Sequence, residues 1–155
     1  MEYLTPDAFL NENPEPIGED FEVPGLGGFV HIQGVSDYDA RVAIDKDAAH
    51  FYNDKGEPAT LRHPKTGKMF TPIPEHIQAA AWAAACVTQP ALNSTAWLFF
   101  AATNAAALIS IWRRCLICSR LMEDPEDNLA DGLVAAKAGI EKSEDPLVSG
   151  GSSTA

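Results

Sequence analysis

Positive charge is scarce in this chain. Its 155 residues carry eleven Lys plus Arg against twenty-two Asp plus Glu, a formal charge of -11. A protein that held nucleic acid through its phosphates would need a surplus of cations on at least one face, so that class of partner is not expected. Cysteine is scarce too. Cys86, Cys115 and Cys118 are an odd number and sit among apolar neighbours, unlike the framework of a small secreted domain, and a reducing cytoplasm is the expected setting. The opening Met1-Glu2-Tyr3-Leu4-Thr5-Pro6-Asp7 has acids where a secretion signal has lysines, and no apolar run follows it; export is not expected. At this length one core can form without a disulfide or a metal.

The patterns that carry chemistry are also incomplete. His31, His50, His63 and His76 fall on different predicted elements, with no pair at i, i+4 to start a zinc site. Gly25-Leu26-Gly27-Gly28 lacks the third glycine of a dinucleotide loop, where Val30 stands. Gly67-Lys68 has Arg62 in place of the first phosphate-loop glycine and Met69 in place of the hydroxyl. Asp45 and Asp47 begin like a calcium loop, but Ala49 and His50 cannot continue the shell. Neither Ser36 nor Ser110 lies in a glycine-flanked nucleophile elbow. Cys115-Leu116-Ile117-Cys118 has the spacing of a redox pair, yet it falls late in an apolar helix with only Arg113 and Arg114 to favour a thiolate, so buried core thiols are expected. No catalytic, cofactor-binding or metal-binding residue is assigned, and the chain reads as a non-enzyme.

What is present is a sequence of structural signals. Asn11 to Asp20 holds two prolines, a glycine and four acids, too little apolar surface to offset its backbone entropy, and residues 1–20 read as an extended lead-in. Phe21 and Val23, then Phe29, Val30, Ile32 and Val35, flank the glycine-rich stretch and predict a β-hairpin. Ser36 reads as the N-cap of a helix that runs to about Tyr52 with one packed and one wet side. Asn53 to Pro74, with four prolines and two glycines, reads as loop with a small second hairpin from Leu61 to Phe70. Pro74-Glu75 opens an alanine-rich helix from Ile77 to Thr88, ended by Gln89-Pro90.

Asn93-Ser94-Thr95 then starts the longest helical signal, to about Met122, with no charged residue from Ala96 through Trp112. A helix apolar around its circumference is buried in a bundle, buried in an oligomer or inserted in a membrane. Asp124-Pro125-Glu126-Asp127 opens a last helix striped by Leu129, Leu133, Ala136 and Ile140. The resulting expectation is an α+β, predominantly helical fold: an N-terminal β-hairpin followed by a bundle of about four helices. Residues 21–142 form a single domain and residues 143–155 a flexible tail.

Three stretches together resemble the tail assembly chaperones of long-tailed (siphovirus-like) bacteriophages. They are Leu4-Thr5-Pro6-Asp7-Ala8-Phe9-Leu10, then Phe21 to Ile32 with Val23-Pro24-Gly25-Leu26-Gly27-Gly28 at its centre, then Val35-Ser36 opening an acidic helix. They resemble the family's short leader helix, Val-Pro-x-x-Gly-Gly hairpin and Ser/Thr-capped helix of mixed charge. Ala84 to Pro90 and the helix through Leu108 to Leu121 are similar to later parts of the same pattern, so the resemblance covers residues 4 to about 122.

The resemblance implies a protein of the host cytoplasm that coats the helical tape-measure protein and recruits tail-tube subunits during tail morphogenesis, without a cofactor. Self-association is expected alongside, because Trp97, Phe99, Phe100, Leu108, Ile111, Trp112, Leu116 and Leu121 surround one helix with little in the chain to cover them; of these, Trp97, Phe100, Leu108, Ile111, Trp112 and Leu116 are the expected partner-binding residues. On that basis Arg113→Glu and Ala107→Trp should weaken association more than folding. Two other readings share the same residues: a permanent tail or neck component of the virion, and a small membrane protein spanning at 96–112 with Arg113-Arg114 on the cytoplasmic side.

Overall fold

Gly25 and Gly27 both have positive φ, at 83° and 67°, a conformation that a side chain disfavours and glycine does not. They let the chain reverse between β1 (Gly18–Val23) and β2 (Gly28–Gln33), which pair antiparallel with Glu22 opposite Phe29 and Asp20 opposite His31. The protein is described here from a computed structural model, which covers residues 2–11 and 15–125. It is α+β, with four helices and a three-stranded antiparallel sheet among those residues. The expected last helix beyond Asp124 and the tail at 143–155 lie outside them.

The lead-in expected over residues 1–20 holds more structure than its composition predicts. Pro6–Asn11 is a short helix, α1, and β1 begins at Gly18 rather than at Phe21. The strand starts early because Ile17 donates its N–H to the Cys118 carbonyl at 2.8 Å and accepts from Gly34 N–H at 3.0 Å, so distant residues satisfy a backbone that local sequence leaves open.

Helix α2 (Tyr38–Ala49) is capped by Asp37, whose side chain accepts from Asp39 N–H, and not by Ser36 as expected. Either residue type caps well, and the one with extended φ/ψ next to the first helical residue wins. The second hairpin forms as predicted from β3 (Leu61–Arg62) and β4 (Met69–Phe70). Pro74 takes the first turn of α3 (Pro74–Cys86), where its missing N–H costs nothing. Val87–Gln89, expected as the end of that helix, is instead β5, which pairs with β2 and completes the sheet in the order β1-β2-β5.

Helix α4 (Ser94–Cys118) is capped by Asn93, whose side chain accepts from Ala96 N–H, and it breaks at Asn104, where φ is -135° and ψ 50°. Helix α3 lies against both α2 and α4, and its run of alanines permits close approach. Ile32, Ile77, Leu98, Leu108 and Ile111 are fully buried between these layers, each stabilising the fold by about 1.5–3 kcal/mol. By length and composition α4 could cross a membrane. In this fold it is the central helix, with the sheet against its second half.

The C-terminal end of α4 is tied to the sheet. Ser119, fully buried, accepts from Val35 N–H at 2.9 Å, and Arg120 reaches the Glu15 carbonyl at 3.0 Å. Further back along the helix, Arg114 holds Glu19 of β1 through two hydrogen bonds of 2.8 and 2.7 Å, with its guanidinium 5.8 Å from the Phe21 ring centre.

Candidate interaction surfaces

The expected partner-binding set divides by burial. Trp97, Leu108 and Ile111 are 3 %, 0 % and 1 % exposed and belong to the core. Phe100, Trp112 and Leu116 are half-buried and pack against it. The sequence shows apolar residues around the whole helix, but α3 and the sheet cover more of that circumference than a short hairpin and an alanine-rich helix suggest, because alanine brings backbones close. Ala107 is buried as well. Ala107→Trp therefore overpacks the core, a correction to its expected use as a surface probe. Arg113 is exposed.

Of the six, Phe100 borders an open cavity, a groove of about 820 Å³ between the β3–β4 hairpin and the first half of α4. Its floor is Phe70, Phe99 and Phe100. The Phe99 ring is held between His63, at 5.4 Å, and Phe70, at 6.0 Å, while Phe100 meets Trp97 edge-on at 5.6 Å. These edge-on arrangements fix the rings as a preformed surface.

The hairpin wall is itself rigid. His63 exchanges backbone hydrogen bonds with Lys68 and Gly67, its Nδ1 accepts from Lys65 and Thr66 N–H, and Arg62 donates to the Gly67 carbonyl. Lys65 and Lys68 stand exposed on the rim, and no carboxylate lines the groove among the described residues.

That absence follows from a segregation of charge that total composition hides. From Pro58 to Met122 the chain has one acid, Glu75, and six cations, Arg62, Lys65, Lys68, Arg113, Arg114 and Arg120, a net of +5; the rest of the chain carries -16. A running charge count along the sequence reveals this, whereas a single net figure does not.

The second surface is the outer face of the sheet. Glu19, Phe21 and Val23 turn toward α4, so Asp20 and Glu22 point the other way, with Phe29 and His31 beside them. Phe29 is 67 % exposed and Leu26, at the hairpin turn, 51 %. Asp20 holds His31 Nδ1 at 2.8 Å. Phe29 is one of several large apolar side chains left exposed, Tyr38 at 77 % and Met69 at 54 % among them, and a single exposed ring is ordinary for a protein surface.

The three thiols lie inside, as expected from their neighbours. Cys86, Cys115 and Cys118 are free and buried. The Cys115 thiol is raised well above the ordinary range by its hydrogen bond with Cys86 and by burial, and that same bond lowers Cys86 against the opposing effect of burial. Burial, then the charge of Glu19, pushes Cys118 up to about 12. Cys115 and Cys118, held protonated in this way, are poor nucleophiles and poor metal ligands. Comparison of the chain with protein-family models, with curated proteins and with solved structures finds no match in any of the three.

Proposed function

We propose that this protein is a tail assembly chaperone of a long-tailed bacteriophage, a non-enzymatic protein of the host cytoplasm that coats the tape-measure protein and recruits tail-tube subunits to it. The observation that carries the reading is the succession of parts. A short helix at Pro6–Asn11 precedes a hairpin turning on Val23-Pro24-Gly25-Leu26-Gly27-Gly28, and a helix follows at Tyr38–Ala49, capped by Asp37 where the family pattern has Ser or Thr. This is the order that the sequence resemblance rests on. The aromatic groove adds support, since a protein that works by holding other proteins needs preformed area of that kind.

Co-expression with the tape-measure gene product is the test. The expected result is a stable complex on purification, lost when the apolar groove is blocked. A chain that stays monomeric by light scattering and does not co-purify would sink the reading. The membrane alternative draws on α4, and ultracentrifugation separates it: recovery only with detergent favours a spanning helix, and recovery in the supernatant favours the chaperone.

A further inference from the structure

Two hollows meet on the first half of α4. The aromatic groove shares Phe70 and Ala102 with a second hollow of about 320 Å³, where Pro72, Ile73 and Ala105 stand. Ile73 is 50 % exposed. Ala102, exposed and bordering both, puts only a methyl group in the way of a chain laid across it. Glu75 is the one acid from Pro58 to Met122 and lines neither hollow. Of the three cations on the hairpin, Arg62 is engaged with the Gly67 carbonyl, while Lys65 and Lys68 make no ion pair among the described residues. Their backbone N–H groups are held by His63 Nδ1 and Thr66 Oγ1, so both side chains start from fixed positions on the rim.

We propose that this double hollow is a docking site for a linear acidic segment of a partner protein, one with two large apolar side chains set between its carboxylates. An aromatic side chain packs on Phe99 and Phe100, whose rings are already fixed by their neighbours. A second apolar side chain, past Ala102, covers Ile73, and the flanking carboxylates pair with Lys65 and Lys68. Negative charge on the occupant follows from complementarity: in a chain with twice as many acids as cations, a site without carboxylates and with two unpaired lysines attracts anions. That the occupant is a chain segment follows from shape. A small aromatic anion would fill one hollow and leave the other in water, and both are open, whereas a small-molecule site encloses most of its ligand. An anionic membrane takes up apolar groups that project from a protein, and a recessed groove projects none. The site is set by these residues alone, so it holds whether or not the protein serves tail assembly.

The test uses the full chain and a labelled synthetic peptide, acetyl-Glu-Glu-Phe-Glu-Glu-Leu-Glu-Glu-amide, followed by fluorescence anisotropy. Binding should saturate and should weaken with added salt. The same peptide with lysine for every glutamate, or with serine for phenylalanine and leucine, should bind at least about tenfold more weakly. On the protein side, Ala102→Glu and Lys65→Glu/Lys68→Glu should each reduce binding of the acidic peptide by a similar factor. All three positions are exposed, so both variants should keep the wild-type circular dichroism spectrum and urea midpoint.

The decisive sample is the charge reversal. Lys65→Glu/Lys68→Glu should bind the lysine peptide better than the wild type does, a gain that damage to the fold cannot produce. An acidic peptide that does not bind, a serine peptide that binds equally well, or a reversal that gains nothing overturns the proposal. So does phenylacetate bound as tightly as the peptide, which would make this a small-anion site. Flotation of the wild type, but not of Lys65→Glu/Lys68→Glu, with phosphatidylglycerol vesicles would make it a lipid contact and overturns it as well. Peptide binding decides the site and co-expression with the tape-measure protein decides the function, so either can fail alone.

Discussion

Gly34 is the position where a single atom matters most. A Cβ built there would overlap the Cys118 carbonyl and come within 2.7 Å of Ser119 N, and both obstacles are backbone that cannot rotate away. Gly34→Ala should therefore destabilise by about 3 kcal/mol, read as a lower urea midpoint. Nearby, Cys118 titrates at about 12 when folded, against an ordinary 9.0. Between those values the unfolded chain loses its proton first. The contribution is complete below about pH 9 and disappears as pH rises toward 12. Melting temperature should fall more steeply over that interval for the wild type than for Cys118→Ala. Equal slopes would mean that the thiol is better solvated than its buried position indicates. A thiol reagent should label the native protein only at the rate of unfolding.

At the level of elements, the hairpins and both long helices were legible because their signals are local: glycines at turns, Pro74 at a helix start, Asn93 three residues ahead of the N–H it caps. Three features were not. The Asn104 break follows no proline or glycine in the sequence. Strand β5 is three residues whose strand character comes from β2 beside it. The early start of β1 depends on the end of α4. The Arg114–Glu19 pair shows how that junction is held. Its side chains are 19 % and 26 % exposed, between the surface case, worth under about 1 kcal/mol, and the buried case, where removing one partner costs about 3–5 kcal/mol. Glu19→Gln should cost about 2 kcal/mol by chemical denaturation, and a double-mutant cycle with Arg114→Met should return most of it as coupling.

For the molecule as a whole, the sequence revealed an acidic chain with apolar surface to spare, but not where that surface lies. The groove brings residues 63–70 against residues 96–104, a tertiary pairing with no local signature, and three of the six expected contact residues proved to be core. The charge pattern was readable in advance at the scale of segments. Its consequence is a molecule with a cationic stretch in a chain of net charge -11, so that an acidic partner can be held locally while copies of the chain repel overall. Binding of an acidic partner at the groove rimmed by Lys65 and Lys68 should weaken between about 50 and 500 mM salt. Insensitivity to salt would point to an apolar contact alone. The protein should remain in the supernatant at high speed without detergent.

The bond between Val35 N–H and Ser119 joins residues 84 positions apart. On a ribosome adding about 5–20 residues per second, the second partner is made roughly 4–17 seconds after the first. During that delay Phe21, Val23, Val30 and Ile32 have left the synthesis site while the helix that covers them is still being translated. The nascent hairpin thus presents its inner face to solvent, open to capture by whatever binds extended apolar strands. A protein read as protecting others during assembly would itself depend, in its first seconds, on speed of translation or on a host factor.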